Sequence, residues 1–300
     1  MKLLEYIFSI KNSSDKKHKI ITILGIKLKI KKKENSRIDG QLNNLHRELN
    51  RNIQKNLSIC FQHQKVFSQY KNINNGKKLA LIATGPTLNY YKPLQNVINV
   101  GCNSSFKKGI PLNYLFMQDY EAVKDYIEEV PEYVSKDCKL FYGFTMEYHK
   151  VPKKIIPESI AIKHGACRYY TDWAPIKDFK PAFVHDISSQ PIGCMGSVAF
   201  PSLQFMLWTN PETIYLVGCD CSDSHYDNTP LLDKTFNDLS FLILPWKEMK
   251  IFANAYYPET EIISVNPIGL RGIFRDVYTQ SYLDEHPEIR GELGDDIEIL

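Results

Sequence analysis

From residue 78 onward the chain alternates short apolar runs with amphipathic stretches, and no other feature constrains the fold as much. The apolar runs fall at 79–83, 97–101, 113–117, 138–142, 160–163, 213–218 and 261–265, and helical spacing marks 120–130, 197–208 and 238–255. Strands alternating with helices predict an α/β fold: a Rossmann-like, mostly parallel sheet with helices on both faces. The stretch 143–192 breaks this rhythm with aromatics, prolines and histidines, and is expected to insert a lid or an acceptor-side subdomain. A length of 300 residues suits one large domain of this kind or two modest ones.

A basic N-terminal extension, 1–75, precedes the domain at 76–300. In "IITILGIKLKIK" (20–31), Ile26, Leu28 and Ile30 alternate with Lys27, Lys29 and Lys31. Period two predicts a strand or hairpin with one apolar and one basic face. Leu42, Leu45, Leu49, Ile53 and Leu57 then follow helical spacing, so 41–70 is expected to be a helix leading into the domain. Residues 1–40 hold eleven Lys and Arg against four Asp and Glu, a net +7; the whole chain is +3, which leaves −4 on the remaining 260 residues. The extension is thus suited to an anionic membrane surface, at about 1 kcal/mol per basic residue near the lipid. Nucleic-acid binding by the main domain is disfavoured. No run of apolar residues is long enough to span a bilayer. Seven scattered cysteines without a C-x-x-C pair read as reduced thiols. The expected location is cytoplasmic, peripheral at the inner membrane face, and the oligomeric state is left open.

Ligands of open α/β sheets bind beyond the carboxyl ends of the strands. The first run ends in Thr84-Gly85-Pro86-Thr87, the second in Cys102-Asn103-Ser104-Ser105, the third in Gln118-Asp119. The run 213–218 ends in "CDCSDSHYD", with Asp220, Ser222, Asp223 and His225, and 261–265 ends in Asn266. Gly85 would let a ligand approach the backbone, and the helix start after it would offer N–H groups to a phosphate. Neither G-x-G-x-x-G nor G-x-x-x-x-G-K-[ST] is present there, which disfavours dinucleotide oxidoreductase and P-loop kinase chemistry. In "GCMGSVAFPSLQFMLW" (193–208), Gly196 and Ser197 precede a nearly all-apolar helix, with Ser197 expected as its N-cap. His225 with Asp220, Asp223 and Asp227 around it suits general-base work near neutral pH, and His185 beside Asp186 is the fallback.

The motifs "ATGPTL" (83–88), "INVGCNSSF" (98–106), "IGCMGSVAF" (192–200) and "ETIYLVGCDCS" (212–222) resemble, in order and spacing, those of the bacterial sialyltransferases of glycosyltransferase family 42 and of the related domain of Maf-type flagellin glycosyltransferases. The resemblance covers about residues 78–270. It implies a GT-A-like Rossmann fold and a CMP-linked sugar donor used without a metal or other cofactor, with a bacterial surface glycan (capsule or lipooligosaccharide) as acceptor. By position, Gly85, Pro86 and Thr87 would flank the donor nucleotide, Asn103 and Ser104 would contact it, Gly196 and Ser197 would meet the sugar carboxylate or phosphate, and Asp220 and Ser222 would line the nucleotide pocket. Thr84 stands where the family has asparagine. The segment that carries the family's catalytic histidine reads "NDLSFLILPWKE" here and has none. Two other readings stay open. A diphosphokinase of the pterin pyrophosphokinase type would need Mg²⁺ on Asp119, Asp220 and Asp223. The third reading is a degenerate nucleotide-binding module.

Overall fold

A computed structural model describes residues 8–14, 18–31, 36–145, 154–172, 183–222, 224–227, 240–294 and 297–300. The chain divides into two compact units, Met1–Ser58 and Ile59–Leu300. In the first, β1 (Phe8–Asn12), β2 (His18–Ile23) and β3 (Ile26–Lys31) form an antiparallel sheet in that order. The hairpin read from alternation at 20–31 is the β2–β3 pair, joined by Leu24-Gly25. Helix α1 (Ser36–Phe67) follows and ends in a 3₁₀ turn, Ser68–Tyr70.

The second unit is built on one nine-stranded sheet in which every pairing is parallel. Its strands are β4 (Lys78–Ile82), β5 (Val97–Cys102), β6 (Tyr114–Met117), β7 (Lys139–Thr145), β8 (Cys167–Asp172), β9 (Ile192–Gly193), β10 (Thr213–Val217), β11 (Glu261–Val265) and β12 (Arg275–Val277). The spatial order is β12-β11-β10-β4-β5-β6-β7-β8-β9. The chain starts at β4, runs outward to β9, then returns to the other side of β4 with β10. The expected α/β Rossmann-like architecture is present, and its switch point lies between β4 and β10.

Both sheet faces are covered, so the strand side chains divide by parity. Leu79 and Leu81 join a core with Phe67, Phe116, Phe141 and Phe205 on one face, while Ala80 and Ile82 join Leu88, Leu115 and Tyr142 on the other. That double burial is why the strands read as unbroken apolar runs rather than alternation. The helices of this unit are α2 (Tyr120–Val123), α3 (Val130–Tyr133), α4 (Glu158–Lys163), α5 (Ala199–Trp208), α6 (Ile243–Tyr256), α7 (Gln280–Glu285) and α8 (Pro287–Leu293). Helix α5 is buried along its whole length against the sheet.

Two expectations are corrected, and one is described in part. The run 160–163, read as a strand, is helix α4: Ile160 and Ala161 are buried but Ile162 is 72% exposed, a one-sided pattern that suits a crossover between β7 and β8. Within 143–192, α4 and β8 continue the sheet; 146–153 and 173–182 lie outside the described residues. The single helix expected at 120–130 is α2, a 3₁₀ turn at Ile127–Glu129 and α3, with Pro131 entering at the first turn of α3.

The centre of the larger core is aromatic. The Phe116 and Phe141 rings stack 4.6 Å apart, and Phe205 of α5 meets Phe67, Tyr70, Tyr114, Phe116 and Phe141. Replacing Phe205 by Ala should lower unfolding stability by about 3–5 kcal/mol, read as a lower urea midpoint at unchanged slope.

Candidate functional site

Parallel register brings the ends of the central strands level: Val217 of β10 pairs with Ile82 of β4, which pairs with Gly101 of β5. Beyond these ends lies a cleft of two adjoining pockets. One, of about 220 Å³, is bordered by Thr84, Asn103, Gln118, Asp119, Gly196, Ser197 and His225 among others. The other, of about 70 Å³, shares Thr84, Ser197 and His225 and adds Gly85, Asp220 and Ser222. The sequence-derived residues from five separate segments therefore meet at the switch point.

The turn after β4 works differently from expectation. Gly85 N–H donates to the Gly218 carbonyl (2.8 Å), Thr87 N–H to Asp220 Oδ2 (2.7 Å), and Leu88 N–H to the Gly85 carbonyl (3.1 Å). Thr87 Oγ1–H donates to Asp220 Oδ1 (2.5 Å). Pro86, the first residue of the 3₁₀ helix Pro86–Tyr90, has no N–H to give. The N–H groups assigned to a phosphate are thus engaged within the protein, and the anion on this turn is the Asp220 carboxylate. Gly85 serves the same contact: a Cβ there would stand 2.4 Å from Asp220 Oδ2 and 2.6 Å from the Gly218 carbonyl oxygen. Burial pushes the Asp220 carboxyl up to about 6, against the pull of its two Thr87 hydrogen bonds.

His225 borders both pockets, and its Nδ1 lies 3.1 Å from Thr84 Oγ1. Burial lowers its pKa below 6.5, with Asp227 and the Thr84 backbone opposing, which favours the neutral ring. The loop after β10 is tied down around it. Tyr226 N–H donates to the Thr84 carbonyl (2.8 Å), Asn89 Nδ2 donates to the Tyr226 carbonyl (2.8 Å), and Tyr226 Oη donates to the Ser104 carbonyl (3.2 Å). Asp223, expected beside His225, lies outside the described residues.

The floor of the cleft carries Gln118, 8% exposed, whose Nε2 donates to Thr145 Oγ1 (2.7 Å). Its Oε1 is buried without a partner, as is the Tyr169 hydroxyl nearby. Gly143 leaves room for both, since a Cβ there would meet Tyr169 Oη at 2.8 Å and Gln118 Cγ at 3.2 Å. Unpartnered buried polar atoms are uncommon and mark places where water or ligand supplies the missing bond. Asn103 Oδ1 accepts from Gln118 N–H (3.2 Å). Asp119 accepts from Glu121 N–H and lies 3.7 Å from Lys154 Nζ, while desolvation raises its pKa. Asn103, Asp119, Met195 and Cys221 all have positive φ, between 43° and 65°. Such left-handed non-glycine residues are costly and persist where the surrounding structure holds them.

Several assignments change. Ser197 is not the N-cap of α5, which begins at Ala199 after Val198; a tight turn at Met195-Gly196 intervenes. Ser197 instead accepts from Ala199 N–H through Oγ (3.3 Å) and still faces the cleft. Thr87 is 2% exposed and holds Asp220 rather than facing the cleft. Ser104 contributes its carbonyl to Tyr226. Asn266, fully buried, binds Thr279 (2.8 and 3.0 Å) and fixes the start of α7. His185 is removed from the site. It borders neither pocket and stacks on Tyr256 (5.0 Å) at the C-terminal end of α6. The sequence reading missed Thr145, Tyr169, Lys154 and Tyr226. Thr145 would have been found at its strand end had β7 been read through Gly143 to its true terminus.

Among the described residues, no group of three or more His, Cys, Asp or Glu is placed to hold a metal ion, and no helix is long and apolar enough to cross a membrane. No family model and no curated protein matches the chain. Solved structures similar to it in part of the fold include glycosyltransferases. A Maf glycosyltransferase from Magnetospirillum magneticum AMB-1 is 12% identical, with a TM-score of 0.40 over 73% of this chain. This chain spans only 38% of that protein's length. The sialyltransferase CstII from Campylobacter jejuni, in complex with the substrate analogue CMP-3FNeuAc, is 16% identical, with a TM-score of 0.33 over 63% of this chain and 80% of that one. A CST-II structure with trisaccharide acceptor and CMP is 16% identical, with a TM-score of 0.35 over 62% and 80%.

Two substitutions test the latch. Gly85→Ala should lower the thermal midpoint by several degrees, because neither Asp220 nor the Gly218 backbone can withdraw freely. Asp220→Asn removes the charge and keeps both Thr87 contacts when its oxygen accepts from Thr87 N–H and its Nδ2 donates to Thr87 Oγ1. A carboxyl raised from 3.8 to about 6 stabilises the fold most below pH 4 and loses that advantage as pH rises through 6. Unfolding measured from pH 4 to pH 7 should therefore show the Asn variant gaining on the parent by about 2 kcal/mol.

Proposed function

We propose that the protein is a glycosyltransferase that moves a nucleotide-activated sugar, CMP-linked, onto a bacterial surface glycan, with donor and acceptor meeting in the switch-point cleft. The observation that carries this reading is His225: a neutral, half-buried imidazole set against Thr84 on the border of both pockets. Glycosyl transfer needs a group to take the proton of the acceptor hydroxyl. When Nδ1–H donates to Thr84 Oγ1, Nε2 carries the lone pair that accepts it. Thr84 is then a positioning residue that selects the tautomer. Asp227 favours the imidazolium formed after transfer.

Asn103, Gln118, Gly196 and Ser197 are proposed to bind the donor. Their amides and hydroxyls suit a nucleotide and its sugar, and the unpartnered Gln118 oxygen is an acceptor awaiting a donor group. The CMP preference rests on the motif resemblance. Residues 1–40, with their net +7, are proposed to meet an anionic membrane surface from the cytoplasmic side. Of the three carboxylates that the diphosphokinase reading would use, Asp220 is bonded to Thr87, Asp119 lies against Glu121 N–H and Lys154, and Asp223 lies outside the described residues.

CMP should raise the thermal midpoint more than CDP, UDP or GDP, since a ligand that binds only the folded state stabilises it. Stabilisation by UDP or GDP alone would overturn the CMP assignment. His225→Ala should slow transfer by about 10²–10⁴ while calorimetric CMP binding persists. The parent's rate should fall as pH drops through a value below 6.5, and that acid limb should vanish in the variant. Full activity in the variant would remove the base from His225.

A further inference from the structure

The β2–β3 hairpin of the first unit closes in an unusual way. Its two-residue turn, Leu24-Gly25, has φ of 48° and 81°, with Ile23 facing Ile26 across the last pair. Two left-handed residues in succession make the turn whose twist matches a hairpin, and its first position ordinarily goes to Asn, Asp or Gly. Here it goes to leucine, a bulky L-residue strained at positive φ. Its side chain is 67% exposed, so packing within the fold does not offset that strain. A strained position with no internal reason points to a function.

Leu24 has apolar neighbours. Ile23 is 44% exposed, Ile26 66% and Leu28 49%. Register sets Ile21, Ile23, Ile26 and Leu28 on one face, while Lys11, Lys27 and Lys29 lie on the other, opposite Ile20, Thr22 and Ile20 respectively. The three lysines are exposed. With a strand rise of about 3.3 Å per residue, Lys27 and Lys29 follow Ile26 by roughly 3 and 10 Å. An apolar tip sunk about 5–10 Å into a bilayer would hold them at headgroup depth.

We propose that the turn Ile23–Ile26, with Leu24 at its apex, inserts into the surface of an anionic bilayer, and that the lysines behind it pair with the headgroups. The proposal rests on the reading of residues 1–40 as the membrane-facing segment and adds an apolar contact to it. The charge complementarity selects anionic lipid as the occupant. The two components differ in kind: attraction between exposed charges is screened by salt, whereas burial of the tip is not.

The test uses the full chain and co-flotation with vesicles of phosphatidylcholine alone or mixed with phosphatidylglycerol, at low and at physiological salt. Leu24→Asn places a preferred residue at the left-handed position, so the hairpin and the thermal midpoint should be kept or improved. Its binding to phosphatidylglycerol vesicles should fall about tenfold, the loss of one well-buried leucine, and what remains should be more sensitive to salt than the parent's. Lys27→Gln with Lys29→Gln should weaken binding chiefly at low salt, and removal of residues 1–40 should abolish it. If removal abolishes binding but Leu24→Asn binds like the parent, the electrostatic reading stands and the insertion is wrong. If removal has no effect, both fall. Equal binding to phosphatidylcholine alone would overturn the role of charge. A parent that ignores vesicles but self-associates in sedimentation, and loses this with Leu24→Asn, would make the tip an interface between copies and overturn the proposal.

Discussion

The pairing of the Asp220 carboxylate with Thr87 is the contact on which the rest of the site depends. It joins the end of β10 to the turn after β4, the two strands between which the chain reverses its order in the sheet. The Asp220 carbonyl also accepts from Gly269 N–H (2.9 Å), so one residue pins the connections after β4, β10 and β11. A buried carboxylate held by a hydroxyl and an amide, without a cation, is costly to ionise, which its raised pKa records. The arrangement is tolerated because Gly85 and Gly269 give up their side-chain space to it.

With that latch closed, the loop carrying His225 has little freedom. Its backbone is bonded to Thr84 and its tyrosine to Ser104, so the imidazole is held by two neighbouring strand ends rather than by its own loop. Under the proposed assignment of His225 as the base, this support would set the geometry of the ring before a substrate binds. The opposite wall of the cleft stores strain instead, in the left-handed Asn103, Asp119 and Met195 and the unpartnered Gln118 oxygen. A ligand that completes the Gln118 hydrogen bond recovers part of that energy on binding.

Much of the fold was legible because parallel strands buried on both faces must be apolar throughout. Leu79–Ile82, Thr213–Val217 and Glu261–Val265 could hardly be mistaken. The misreadings share a cause. Ile160–Lys163 carries too few residues for periodicity to separate helix from strand, and only its position between β7 and β8 decides it. Cys167–Asp172 was missed because its aromatic and polar side chains pack near the edge of the sheet. Gly143 looked like the end of a strand, although it is an interior position emptied for Tyr169 and Gln118.

That polar residues follow the apolar strands can be read along the chain, and parallel pairing then obliges those residues to gather at one edge. Thr84, Asn103, Gln118, Ser197 and His225 were recoverable on that ground alone. The tertiary structure decided which of them face the cleft and which serve its walls. Thr87 and Asn266 turned inward to hold Asp220 and Thr279, His185 packed against Tyr256 of α6, and Gly85 proved to make room for a carboxylate. The physical reason is that a hydroxyl, an amide or a glycine has the same local signature whether its partner is a ligand or the protein. Only the positions of residues more than a hundred apart along the chain, such as Thr87 and Asp220, distinguish the two.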